Sequence, residues 1–296
     1  PRDPRTRELE HSAGAVTRLV AILSRRRFRL LALPALLIAL VAGGLTAIVI
    51  DDAIRGGGPC GSAAFPKAAV VFDALTICAS GDVDDAKVVH AAAVSAQWLD
   101  NDGDGTVDDP GLHATLVGSR PVVLMTAEEL SFWPGIRALV ALRGRPFQDL
   151  GARETAPRSG RDASQEEIHH IIVNAGWQRY RPDVFSEEAD DDSLLYRAWQ
   201  AAWDSGLHFY DDPTCDDSCQ VTEFVYLATA AYLGSDVDLQ TDELRAYSRD
   251  DLERLSPATV AIIESAAYRY PTVMWPDGRY PHTGNITLHG LDADTP

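Results

Sequence analysis

From Leu30 to Ile50 the chain carries no charged side chain, and beyond that run the apolar positions recur with the short periods of strands and helices. Twenty-one residues at about 1.5 Å rise each cover the roughly 30 Å hydrocarbon core of a bilayer. The run therefore predicts a single N-terminal transmembrane helix over residues 29–50. Basic residues precede it, so by the positive-inside rule residues 1–28 form a cytoplasmic tail. That makes the chain a single-pass cell-membrane protein with an extracytoplasmic C-terminal domain. A cleaved signal peptide is the alternative, but its apolar stretch would be shorter and would end in small residues. Within residues 51–68, IRGGGPCGSAAFP has linker composition, leaving 69–296 as the extracytoplasmic domain.

In that domain AVVFDALTICA, from Ala69 to Ala79, is apolar and β-branched and predicts a strand. DVDDAKVVHAAAVSAQWLD follows, with Val88, Ala92, Val94 and Trp98 on a helical stripe and Asp82 or Asp84 as its cap. An acidic loop and a short helix lead to a second strand over Pro121 to Met125. A third is expected at Ala138 to Leu142. Helical periods occupy roughly 163–175, 192–204, 219–233 and 257–267. The aromatic and proline-rich segment YRYPTVMWPDGRYPHTGN is expected to run irregularly over the surface. Early strands and later helices predict an α+β domain.

Composition adds three constraints. With 46% hydrophobic and 24% charged residues, a packed core is expected. The net charge is −18, and since residues 1–29 hold eight arginines against three acids, the remainder carries −23. Such a surface repels phosphate backbones and excludes nucleic acid as a partner. Four cysteines lie beyond the apolar run, where an oxidising environment permits disulfides. Local pairing, Cys60 with Cys78 and Cys215 with Cys219, is favoured over the two other connectivities; a four-cysteine zinc site lacks any CxxC spacing.

Two segments carry candidate chemistry. LDNDGDGTVDD places Asp100, Asp102 and Asp104 at alternate positions of one loop, with Gly105 at the turn. Calcium takes six to eight such oxygens. The loop resembles those of EF-hands, dockerins and thrombospondin type 3 repeats, and the resemblance implies a structural Ca2+ site. It departs from the EF-hand at the twelfth position, where Gly111 replaces the bidentate glutamate and Asp108 or Asp109 must compensate. Asp109 is taken with the other three as the ligand set, and a plain solvated turn is the alternative.

The second segment is SQEEIHHIIVNAGW. On a helix, Glu166 and His170 share one face, Glu167 lies beside them, and His169 turns away by about 100°. Zinc peptidases use H-E-x-x-H to place two histidines on the metal and a glutamate beside the attacking water. Here Glu166-Glu167-x-x-His170 puts a carboxylate at the first ligand position. Further along, CQVTEFVYLATAAYLGS sets Glu223 at the head of an aromatic-rich helix. Together the two resemble gluzincin metallopeptidases, in particular the anthrax-lethal-factor-like group. The resemblance implies a zincin-like fold, Glu166, His170 and Glu223 as ligands to Zn2+ or another divalent metal, and Glu167 as general base. Tyr210 or Tyr226 is the implied oxyanion donor. The LDNDGDG loop, the EExxH helix and the TCDxxC-x-x-TE segment also resemble a group of secreted proteins without established activity.

One histidine with two carboxylates is a harder ligand set than zinc peptidases use, which leaves weaker zinc binding, manganese or calcium instead, or no metal. A structural role is the competing account: Glu166 and Glu167 favour the helix macrodipole, His170 packs in the core, and Glu223 caps or forms an ion pair. Two functions follow. One is a membrane-tethered, calcium-binding, metal-dependent peptidase. The other is a noncatalytic, calcium-stabilised surface module that binds a peptide or cell-wall ligand.

Overall fold

The computed structural model describes residues 58–127, 142, 144–235 and 237–291. Five strands, β1 (Lys67–Val71), β2 (Leu75–Ala79), β3 (Val122–Thr126), β4 (Phe147–Gly151) and β5 (Ile286–His289), form one sheet in the order β4-β3-β2-β1-β5. β1 pairs antiparallel with β2 and β5, whereas β2–β3 and β3–β4 are parallel. Strand residues alternate between two apolar layers, as period two requires. Ala69, Val71, Ile77, Val123, Met125 and Leu150 face the main core. Ala68, Cys78, Val122 and Leu124 face a smaller cluster with Cys60, Phe65 and Leu142.

The single strand expected from Ala69 to Ala79 is a hairpin. Phe72 and Asp73 turn the chain at φ 50° and 56°, a region that non-glycine residues rarely occupy. Contacts distant in sequence hold that turn: Phe72 N donates to Asn285 O at 2.9 Å, and His113 Nε2 bonds Phe72 O at 2.8 Å.

Among the described residues, seven helices of seven or more residues pack with the sheet. They are α1 (Asp85–Leu99), α2 (Pro110–Ser119), α3 (Ala163–Ile172), α4 (Leu194–Asp204), α5 (Asp217–Leu233), α6 (Arg249–Leu255) and α7 (Pro257–Ile263). Asp84 caps α1, accepting from Ala86 N at 3.0 Å. α3 runs on into a π-helical turn, Val173–Trp177. That turn lies tight against α2: a Cβ at Gly176 would come within 2.6 Å of Leu112 Cδ1. The segment expected to cross the surface, from Tyr268 onward, instead buries Tyr268, Tyr270 and Tyr280.

These observations correct the expected fold class and location. The described residues form a mixed α/β architecture in which the last strand joins the sheet opened by the first, not a strand half followed by a helical half. No helix among them is long and apolar enough to cross a membrane. The predicted span over 29–50 and its basic tail lie outside the described residues, as does most of the strand expected at 138–142. Among the described residues, therefore, no spanning helix supports the single-pass, extracytoplasmic placement. Part of the expected linker is folded: Cys60 and Phe65 are buried, and Cys60 is bonded to Cys78. Cys215–Cys219 is the second disulfide, so the local pairing is the one formed.

Candidate metal centre

α3 begins at Asp162, whose Oδ1 accepts from Ser164 N at 3.1 Å and whose Oδ2 pairs with His90 Nε2 at 2.6 Å. This fixes the rotation of the helix, and the two histidines then diverge. His169 turns into the core, bonding Tyr270 Oη at 2.7 Å among Trp98 and Tyr226. Burial, then the neighbouring His170, holds its pKa well below the usual value, so it is neutral. His170 faces α5, its Nε2 3.6 Å from Glu223 Oε2. Its Nδ1 lies 3.8 Å from Glu167 Oε2, too far for a hydrogen bond.

Glu166, His170 and Glu223 each place one ligand atom within 4.8 Å of the others. Two donors about 2.1 Å from a tetrahedral ion lie about 3.4 Å apart, close to the His170–Glu223 spacing. His170 is only 6% exposed, and its Nε2 is buried without a hydrogen-bond partner. An orphan nitrogen 3.6 Å from a carboxylate is a group short of a partner. Burial, reinforced by Glu223 and Glu167 and opposed by Arg161 and His170, pushes the Glu166 carboxyl up to about 7. Burial and then Glu167 raise Glu223 against the pull of His170. Burial works against a charge on His170, but Glu167, Glu223 and Glu166 outweigh it and its pKa rises.

The supporting residues carried no motif. Arg161 pairs with Glu166 and, through Nε at 3.0 Å, with Asp238 Oδ1. Asp238 is fixed in turn by Tyr226 Oη at 2.7 Å and Ser235 Oγ. Tyr226 is thus a wall behind the site, not an oxyanion donor. Gln148 on β4 donates to Glu167 Oε2 at 2.5 Å. Tyr210 stands within electrostatic reach: burial, then Glu223, Glu243 and Glu166, push its phenol up to about 12. A cavity of about 280 Å³ opens at His170 and Glu223.

The acidic loop departs from its expected ligand set at two positions, Asp104 and Asp109, and takes Asp108 instead. Asp100, Asp102 and Asp108 bring one oxygen each within 4.8 Å of one another. Asp109 is instead the N-cap of α2: its Oδ1 accepts from Gly111 N and Leu112 N, and its Oδ2 from Arg269 N. Asp104 is exposed and accepts from Thr106 N at 2.7 Å. Asp100 accepts from Asp104 N and Gly105 N, Gly105 taking φ 90° as its turn position requires. Burial, opposed by a bond from Asn101 N and reinforced by Asp102, Asp100 and Asp104, raises Asp108 to about 6.

No family model, curated protein or solved structure matches this chain.

Proposed function

We propose that the chain is a divalent-metal-dependent peptide hydrolase, with Glu166, His170 and Glu223 as ligands and Glu167 as general base. One observation carries the reading: the buried, unpartnered His170 Nε2 lies 3.6 Å from Glu223 Oε2, in a cluster with Glu166, beside an open cavity. A bound zinc ion, or manganese given the hard ligand set, supplies Lewis acidity toward water and a carbonyl oxygen. Glu167 takes the proton from water. Its side chain is 24% exposed, and the Gln148 amide holds it in place while its second oxygen has no bond among the described residues. Arg161 fixes one oxygen of Glu166 and leaves the other for the metal. A peptide substrate rests on the likeness of the Glu166-to-His170 segment and Glu223 to the gluzincin pattern. A separate structural calcium at Asp100, Asp102 and Asp108 is part of the same proposal.

The Asp100 cluster also favours a second reading, a noncatalytic, calcium-stabilised module that binds a peptide or cell-wall ligand. Glu167→Gln separates the two. With zinc loaded and a mixed fluorogenic peptide library, hydrolysis should fall by about 10²–10⁴ while the zinc content holds. Peptide binding by the wild-type chain without any cleavage would favour the module.

A further inference from the structure

We infer that the cavity beside the metal centre is a subsite for an ammonium group of the substrate, with Glu187 as its counter-charge. The inference deepens the hydrolase reading and rests on it for the position of the bond to be cleaved.

The subsite is built by the π-helical turn and the first turns of α5. An ordinary α-helix here would repeat the spacing of α3, whereas a π turn widens the helix and shifts the side chains it carries. Asn174 stands on that turn and lines the cavity with Thr222 and Glu187. Glu187 Oε2 accepts from Gln178 Nε2 at 2.7 Å and from Thr222 Oγ1 at 2.9 Å. Thr222 Oγ1 also lies 3.1 Å from Asn174 Oδ1, so one hydroxyl proton serves two acceptors. Glu187 Oε1 accepts no hydrogen bond, and no cation pairs with this residue, among the described residues.

Among the described residues, one carboxylate oxygen of Glu187 is therefore left without a hydrogen-bond or ionic partner along this wall. No lysine or arginine lines the cavity, and Glu187 is the lining carboxylate that is not a proposed metal ligand. The N-terminus of α5 does not offset that charge: Asp216 accepts from Cys219 N, and Asp217 sits in the first turn. An ammonium group brings three donors and a positive charge, which matches the deficit. A volume of about 280 Å³ suits one terminal residue or one side chain, not a strand of peptide, since sites for drug-sized ligands span about 300–1,000 Å³. His170 lines the same cavity, so the cation would lie next to the reacting bond.

An ammonium can come from a peptide N-terminus or from a lysine side chain. Calorimetric titration of the zinc-treated chain with leucinamide, Nα-acetyl-lysinamide and the neutral Nα-acetyl-leucinamide separates them. At least one cationic probe should bind about tenfold or more tighter than the neutral one. Leucinamide as the better probe identifies the terminus; acetyl-lysinamide identifies the side chain. Glu187→Gln keeps the shape and the two accepted hydrogen bonds, so zinc content and melting midpoint should hold while the preference for charge disappears. Equal binding of all three probes, no binding at millimolar concentration, or a preference that survives Glu187→Gln overturns the inference. Zinc content is measured on the same samples. A chain that takes no zinc yet keeps a Glu187-dependent preference would sink the hydrolase reading and leave the cation subsite standing.

Discussion

Replacing Arg161 by methionine tests the electrostatic account of the centre. Its guanidinium bridges Glu166 and Asp238 and lies 5.6 Å from the centroid of the Tyr226 ring. The carboxylates are 13% and 1% exposed, the arginine 33%. Removing one partner of a buried ion pair costs about 3–5 kcal/mol, and screening at the partly exposed arginine reduces this to about 2–3 kcal/mol. Asp238 keeps the hydroxyls of Tyr226 and Ser235, so the loss falls mainly on Glu166. Burial already raises that carboxyl to about 7. A carboxyl raised on folding binds its proton in the folded chain before the unfolded one, so its charge penalty is relieved as pH falls. Arg161→Met should therefore cost most at about pH 8 and markedly less at about pH 5. Urea unfolding of the metal-free chain at the two pH values reads both quantities. A cost under about 0.5 kcal/mol, or one equal at both pH values, would refute the reasoning.

Two further outcomes follow from other parts of the molecule. His208 is 1% exposed, and burial, offset in part by its bond to Glu243 O, lowers its pKa from 6.5 to about 4. A lowered histidine contributes stability above its unfolded value that is lost as pH falls, so the chain should lose about 3 kcal/mol between about pH 7 and pH 4, and His208→Gln should flatten that part of a urea-stability profile. Calcium added to the metal-free chain should raise its melting midpoint, by the equivalent of about 2.7 kcal/mol at a hundredfold excess over Kd. Asp102→Ala should abolish that rise without altering zinc content, and the rise should fade below about pH 6, where the raised Asp108 takes up its proton.

The elements legible in the sequence are those written locally. The cap and apolar stripe of α1 lie within one segment, and the shared face of Glu166 and His170 follows from helical spacing alone. Glu223 became legible only through a family pattern, because nothing local says which helix meets which. Contacts made across the chain left no such trace. The β1–β2 turn has no glycine and is held by Asn285 and His113. Strand β5 is four largely exposed residues, and pairing with β1 creates it. Arg161 and Asp238 meet across 77 positions. In the acidic loop, adjacent aspartates compete for two tasks: Asp109 caps α2, and Asp108 joins the cluster. Composition cannot assign that division of labour, since either carboxylate is chemically able to do either job.

Zinc content per chain, measured by mass spectrometry after equilibrium dialysis, tests the central claim most directly. The wild type should hold one zinc per chain, His170→Ala should hold none, and Asp102→Ala should hold one. An undiminished content in His170→Ala, or no zinc in a folded wild type, would contradict the account.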